Sequence, residues 1–136
     1  MLRIGSVVMG VSDVRRAAAF WMEALGYRPR DEIEDTWVVL VPRRGHAEGP
    51  RLSLALSDTP LQEHPRVHLD LYAANTADQA AEVDRLVSIG AERVDWDLYP
   101  QNADFIVLAD PDGNRFCVID TSHGQTTSGT DDAGRP

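Results

Sequence analysis

The sequence predicts an α+β fold assembled from two copies of one βαβββ module, and three observations carry that expectation. Leu25-Gly26 is matched by Ile89-Gly90 at an offset of 64 residues. Arg51–Leu56 (RLSLAL) is matched at the same offset by Arg115–Asp120 (RFCVID), while the first strands align at an offset of 62, which sets Ser6 against His68. Finally, Ala103–Asp120 (ADFIVLADPDGNRFCVID) holds two apolar, β-branched runs about Asp110-Pro111-Asp112-Gly113-Asn114. Pro111 pre-sets φ for a tight turn, Asp112 is suited to bond back to the backbone, and Gly113 tolerates the positive φ that closes a hairpin. Phe105–Ala109 and Arg115–Ile119 are therefore expected as adjacent antiparallel strands.

Taken in order, residues 3–11 (RIGSVVMGV) read as a strand. Ser12-Asp13 supplies a helix N-cap, and Val14, Ala17, Ala18, Trp21, Met22 and Leu25 follow at helical spacing, with Gly26 where a C-cap glycine belongs. Strands are expected over Tyr27–Ile33, Thr36–Val41 and Arg51–Ser57, the last two joined by the loop PRRGHAEGP. These elements make module 1, about residues 3–57. The proline-bounded stretch 58–65 (DTPLQEHP) is the linker. Module 2, about 66–120, opens with a strand over Arg66–Ala73. Thr76 and Gln79 read as a capping box, and Ala80, Val83, Leu86 and Val87 as the apolar stripe of a helix ended by Gly90. A strand over Ala91–Trp96, the loop DLYPQN and the hairpin complete it. Residues 121–136 lack any large apolar side chain and are expected to be a disordered tail.

Composition narrows the function classes. A chain of 136 residues with 43% apolar content suits one domain with a workable core, and no apolar run approaches the ~20 residues of a membrane span. No signal-peptide pattern stands at the N-terminus, so a cytoplasmic protein is expected. One cysteine, Cys117, excludes an internal disulfide and any Cys-rich zinc module. A net charge of −9 argues against nucleic acid as partner, and Arg15-Arg16 and Arg43-Arg44 read as solvated faces.

Strand alternation divides the residues further. On Arg51–Ser57, Leu52, Leu54 and Leu56 share one face, and Arg51, Ser53, Ala55 and Ser57 the other. On Arg66–Tyr72, Val67, Leu69 and Leu71 oppose Arg66, His68, Asp70 and Tyr72. Each strand thus has a greasy side for a helix and a small or polar side for water or a ligand. His68 and Asp70, two residues apart on one face, are an imidazole and a carboxylate suited to acid–base work near neutral pH, or to fixing a wall by bonding each other. Trp37, Trp96 and Tyr99 lie on or just after the same strands and suit an aromatic or extended organic ligand. Trp21 belongs to the helix stripe.

The pattern resembles the vicinal oxygen chelate superfamily of glyoxalases, bleomycin resistance proteins and extradiol dioxygenases, and within it the glyoxalase-like domains. The residues that carry the resemblance are Val11-Ser12-Asp13, Ala19-Phe20-Trp21 and Leu25-Gly26-Tyr27, then Val67-His68-Leu69-Asp70-Leu71, Ile89-Gly90-Ala91 and the DPDGN turn followed by Phe116-Cys117-Val118. It covers residues 3–120 and implies curled mixed sheets around a ligand cup. It also implies four metal-ligand positions, which fall here on Ser6, Ser53, His68 and Cys117, where metal-using relatives carry His or Gln on first strands and Glu on last ones. Only His68 matches. Serine hydroxyls are poor ligands for a divalent ion, and His68 with Cys117 falls short of the three protein ligands of a catalytic zinc. His46 and His64, in loops, read as surface residues rather than further ligands.

The expectation is therefore a metal-free, cofactor-free protein binding a small organic molecule, with Ser6, Trp37, Ser53, His68, Asp70, Trp96, Tyr99 and Cys117 as ligand-binding candidates. The acidic chain would favour cationic compounds. Alternatives are a lyase, isomerase or dioxygenase using His68 and Asp70, with or without a divalent metal held by His68 and Cys117, and a partner domain with a vestigial cup. A homodimer is expected, because each curled sheet has free edges and relatives commonly pair.

Overall fold

The computed structural model describes residues 1–45 and 48–123, and the chain divides after Pro60 into two units. Unit 1 holds β1 (Ser6–Val11), α1 (Val14–Leu25), β2 (Tyr27–Pro29), β3 (Trp37–Pro42) and β4 (Arg51–Leu56). Unit 2 holds β5 (Asp70–Ala73), α2 (Thr76–Ser88), β6 (Glu92–Arg93), β7 (Phe105–Ala109) and β8 (Arg115–Asp120). The first sheet has the order β1-β4-β3-β2 and the second β5-β8-β7-β6, each with one parallel pair, β1–β4 or β5–β8, and antiparallel pairs elsewhere. The βαβββ repeat is present in both halves.

In unit 1, the Asp13 carboxylate accepts the N–H of Arg16 and caps α1, and Gly26 ends it at φ 68°, donating its own N–H to Met22. The helix packs on β2, β3 and β4. Val14, Ala17, Ala18 and Trp21 are buried on its inner side, and Val38, Leu40, Leu52 and Leu54 on the strands. Each such Val or Leu contributes about 1.5–3 kcal/mol by leaving water. β2 is shorter than the expected Tyr27–Ile33. The Ile33 carbonyl accepts from the Arg15 guanidinium, and the Glu34 N–H closes a turn onto Trp37, so the chain leaves the ladder.

In unit 2, several expectations are corrected. The N-cap of α2 is Asn75, whose side chain accepts from the Asp78 N–H, rather than a Thr76–Gln79 box. Gln79 is instead buried and its amide donates to the Asp104 and Val118 carbonyls. That turns the inner face to Gln79, Val83 and Leu86 and leaves Ala80 and Val87 exposed. In the DPDGN turn the residue that organises the backbone is Asp110, not Asp112. It is buried, and one carboxylate oxygen accepts the N–H groups of Asp112 and Asn114. Gly113 takes φ 96° as expected.

β5 begins at Asp70 instead of Arg66. The Arg66 N–H is spent on the Gln62 side chain, and one further bond, Cys117 N–H to the Leu69 carbonyl, extends the pairing. β6 ends at Arg93, because the Trp96 N–H turns back onto the Val94 carbonyl. Residues 121–123 form a turn on Asp120, so the expected tail does not start at 121; its remainder, 124–136, lies outside the described residues, as does His46. Among the described residues no helix is long and apolar enough to cross a membrane.

Candidate functional site

The face of the first sheet opposite α1 is built by alternation. Val8 pairs with Ser53 and Ser53 with Val39, while Ser6 lies opposite Arg51 and Trp37 opposite Ala55. The Ser6 and Ser53 hydroxyls meet at 2.7 Å. Ser53 is buried, whereas Trp37 keeps 37% of its surface exposed. With the N-terminal stretch and Gly49-Pro50, Ser6, Val8, Trp37, Val39, Arg51 and Ser53 line an open groove of about 640 Å³. Three arginines border it: Arg3, Arg30 and Arg51. Tyr27 props its rim by donating its hydroxyl to the Pro50 carbonyl at 2.8 Å, and burial raises the pKa of that phenol.

The corresponding face of the second sheet carries different chemistry. Asp70 lies opposite Cys117, and Cys117 opposite Val107. His68 precedes the strand, and its Nε2 meets an Asp70 carboxylate oxygen at 2.8 Å. The Cys117 sulfur joins them, so that one donor atom from each of His68, Asp70 and Cys117 lies within 4.8 Å of the others. Below this cluster the face is apolar and filled. Trp96, Phe105, Val107, Cys117 and Ile119 form one buried cluster. Tyr99 stacks on Phe105 with centroids 5.2 Å apart and accepts the Val107 N–H at its oxygen. Burial raises the Tyr99 pKa, and the accepted N–H offsets part of that shift. Phe105 holds the register position that Trp37 holds in unit 1, since each faces the matching residue of the last strand, Ile119 or Ala55.

A glyoxalase-like domain model matches residues 6–119. The chain belongs to the glyoxalase-like domain family. It is part of the vicinal oxygen chelate superfamily, and solved structures of that superfamily share its fold. A glyoxalase-related enzyme from Fulvimarina pelagi is 17% identical with a TM-score of 0.64, covering 88% of each chain. A lactoylglutathione lyase from Agrobacterium tumefaciens is 18% identical with a TM-score of 0.59, over 85% of this chain and 91% of that one. The fosfomycin resistance protein FosX of Listeria monocytogenes, solved with Mn(II) and a dihydroxypropylphosphonic acid, is 15% identical with a TM-score of 0.65, over 88% and 92%. No curated protein matches the sequence. At these identities the likeness is one of fold, and the glyoxalase-like domain's own residues must carry its function.

The eight candidate residues fall into two groups. Ser6, Ser53 and Trp37 come together in the groove of unit 1. His68, Asp70 and Cys117 come together in unit 2, where Trp96 and Tyr99 serve the apolar cluster and its edge. His64 pairs with Asp97 at 2.8 Å and lies against Trp96, 4.8 Å between ring centroids. That hydrogen bond is the main cause lowering the Asp97 pKa. The sequence reading missed the three arginines as one lining. Arg51 was placed on the polar face with Ser53, but Arg3 and Arg30 reach the groove from outside the strands, where alternation gives no signal.

Proposed function

We propose that this glyoxalase-like domain binds a small aromatic or extended organic molecule in the groove of unit 1, without a metal there. The observation that carries the reading is a half-exposed Trp37 beside a floor whose two hydroxyls are joined to each other. A flat apolar wall next to a few placed polar groups is the usual make-up of a small-molecule site. The positions where metal-using relatives carry charged or imidazole ligands hold Ser6 and Ser53 here, and neutral hydroxyls suit a divalent ion poorly. The experiment is a thermal-shift screen of aromatic compounds on protein stripped with a chelator. A ligand of the native state raises the melting temperature. Stabilisation that survives chelation and disappears in Trp37→Ala supports the reading, and stabilisation that persists undiminished in Trp37→Ala moves the site elsewhere.

The cluster in unit 2 favours a second reading, catalysis at His68 and Asp70. Imidazole, carboxylate and thiolate are the donor types that hold zinc, and their spacing fits such an ion, so His68, Asp70 and Cys117 would be its ligands. A divalent ion there would polarise a substrate oxygen. Without it, His68 is placed to take up or release a proton while Asp70 orients the ring. Metal analysis of purified protein separates the two forms. About one ion per chain, lost in both His68→Ala and Cys117→Ser, assigns the cluster to a metal. The expected homodimer is part of the same proposal. β1, β2, β5 and β6 are the outer strands of their sheets, and an outer strand offers unpaired backbone groups to a second copy. Light scattering that returns the 15.0 kDa monomer across a dilution series would remove it.

A further inference from the structure

We infer that the molecule bound in the groove of unit 1 is a planar organic anion, its charged end held by Arg51 and Arg3 and its ring laid on Trp37. This rests on the reading of that groove as the binding site and adds the class of ligand it takes.

Among the described residues the lining includes three arginines and no Asp or Glu, in a chain whose net charge is −9. Chance placement in so acidic a protein would put Asp or Glu there. Instead, the local field opposes the global one, and near contact the local field decides, because exposed charges farther than about 8 Å are screened at physiological salt. Arg30 is ion-paired with Asp31 at 2.8 Å, so that among the described residues Arg3 and Arg51 are the lining cations without a carboxylate partner. Arg51 is the first residue of β4, opposite Ser6 and two residues from Ser53 on the same face. Its side chain leaves the strand on the face that carries the hydroxyl pair, and the residue lines the same groove. A guanidinium presents a planar fork that matches the two oxygens of a carboxylate, or of a phosphonate or phosphate ester. Of the two hydrogens on the Ser6 and Ser53 hydroxyls, one closes the 2.7 Å contact and the other has only long contacts, 3.4 Å to the Val7 carbonyl and 3.5 Å to the Arg51 carbonyl, that an anionic oxygen would displace. Trp37 stands across β4 from β1, at the far side of the same face, so anion and ring would be received at separate places. The preference for cationic compounds that the overall charge suggests does not apply inside this groove.

The test is calorimetric titration of the full chain with three probes of one shape and different charge: 2-naphthoate, 2-naphthamide and 2-naphthylmethylamine, near neutral pH. Charge-assisted hydrogen bonds are roughly twice as strong as neutral ones, so naphthoate is expected to bind about tenfold more tightly than the amide. The amine should be weakest, and added salt should erode the naphthoate advantage. Arg51→Met and Arg3→Met should each cut naphthoate affinity several-fold and leave the amide nearly unchanged, and Trp37→Ala should weaken both. Equal binding of the three probes that still depends on Trp37 would overturn the anion preference while leaving the groove as a site. No binding by any probe at millimolar concentration would overturn both. The probe comparison and the salt dependence are read on the native chain, so a variant that fails to fold does not shield the inference.

Discussion

Ser6 and Ser53 join their hydroxyls at 2.7 Å at the same two register positions where the second unit carries His68 and Cys117. The repeat has kept its ladder and changed its chemistry. Because Ser6 is exposed, it can trade its partner for water. Ser53→Ala is therefore expected to cost about 1 kcal/mol or less in urea unfolding. A loss above about 3 kcal/mol would show that the pair organises the sheet.

Trp37 and Trp96 differ in burial, 37% against 7% exposed, and should separate in their mutational cost. Trp96→Ala opens a hole beside Phe105 and Cys117 and is expected to destabilise by about 3–5 kcal/mol. Trp37→Ala should cost less, about 1–3 kcal/mol, because over a third of its surface already meets solvent. Equal costs would mean that Trp37 is core.

Asp120 ends β8 with its carboxylate accepting from the Thr76 hydroxyl at 2.6 Å and the Ser122 hydroxyl at 2.7 Å. Those two bonds, Thr76 first, hold its pKa below the ordinary carboxylate value and outweigh the burial that opposes them. A depressed folded pKa gives stability that is full above the ordinary value and lost as pH falls through the lowered one. Thr76→Val should therefore melt below the native chain near neutral pH, with the gap closing in acid. A gap that is constant with pH would assign the loss to helix capping instead.

Gly113 sits at φ 96°, and a Cβ there would come within 2.5 Å of the Leu61 Cδ1. Gly113→Ala should destabilise by about 1–3 kcal/mol from backbone strain and crowding together. Gly5→Ala, which meets nothing within 4 Å, is the control and should be near neutral. If Leu61→Ala in the Gly113→Ala background recovers nothing, the cost lies in the backbone alone.

The sequence by itself determined the repeat, both helices and most of the strand faces, because these follow from local periodicity, capping and turn chemistry. Val67 and Leu56, expected on greasy faces, are exposed, since Val67 precedes β5 and Leu56 is the last residue of β4. The offsets that matched Arg51–Leu56 to Arg115–Asp120 reappear as identical ladders, in which Val8–Ser53 corresponds to Asp70–Cys117. Tertiary structure decided how each face is used. Gln79 turned α2 inward to satisfy two sheet carbonyls that no helical pattern reveals. The chain after β6 carried Trp96 and Tyr99 against Phe105 and filled the second sheet's face, while the equivalent position in the first sheet left Trp37 beside a groove. Arg3, Arg30 and Arg51 are distant along the chain and carry no shared period. Only the folding of the N-terminal stretch and the turn after β2 onto β4 makes them neighbours, and that placement rests on long-range contacts rather than on any residue's own preference.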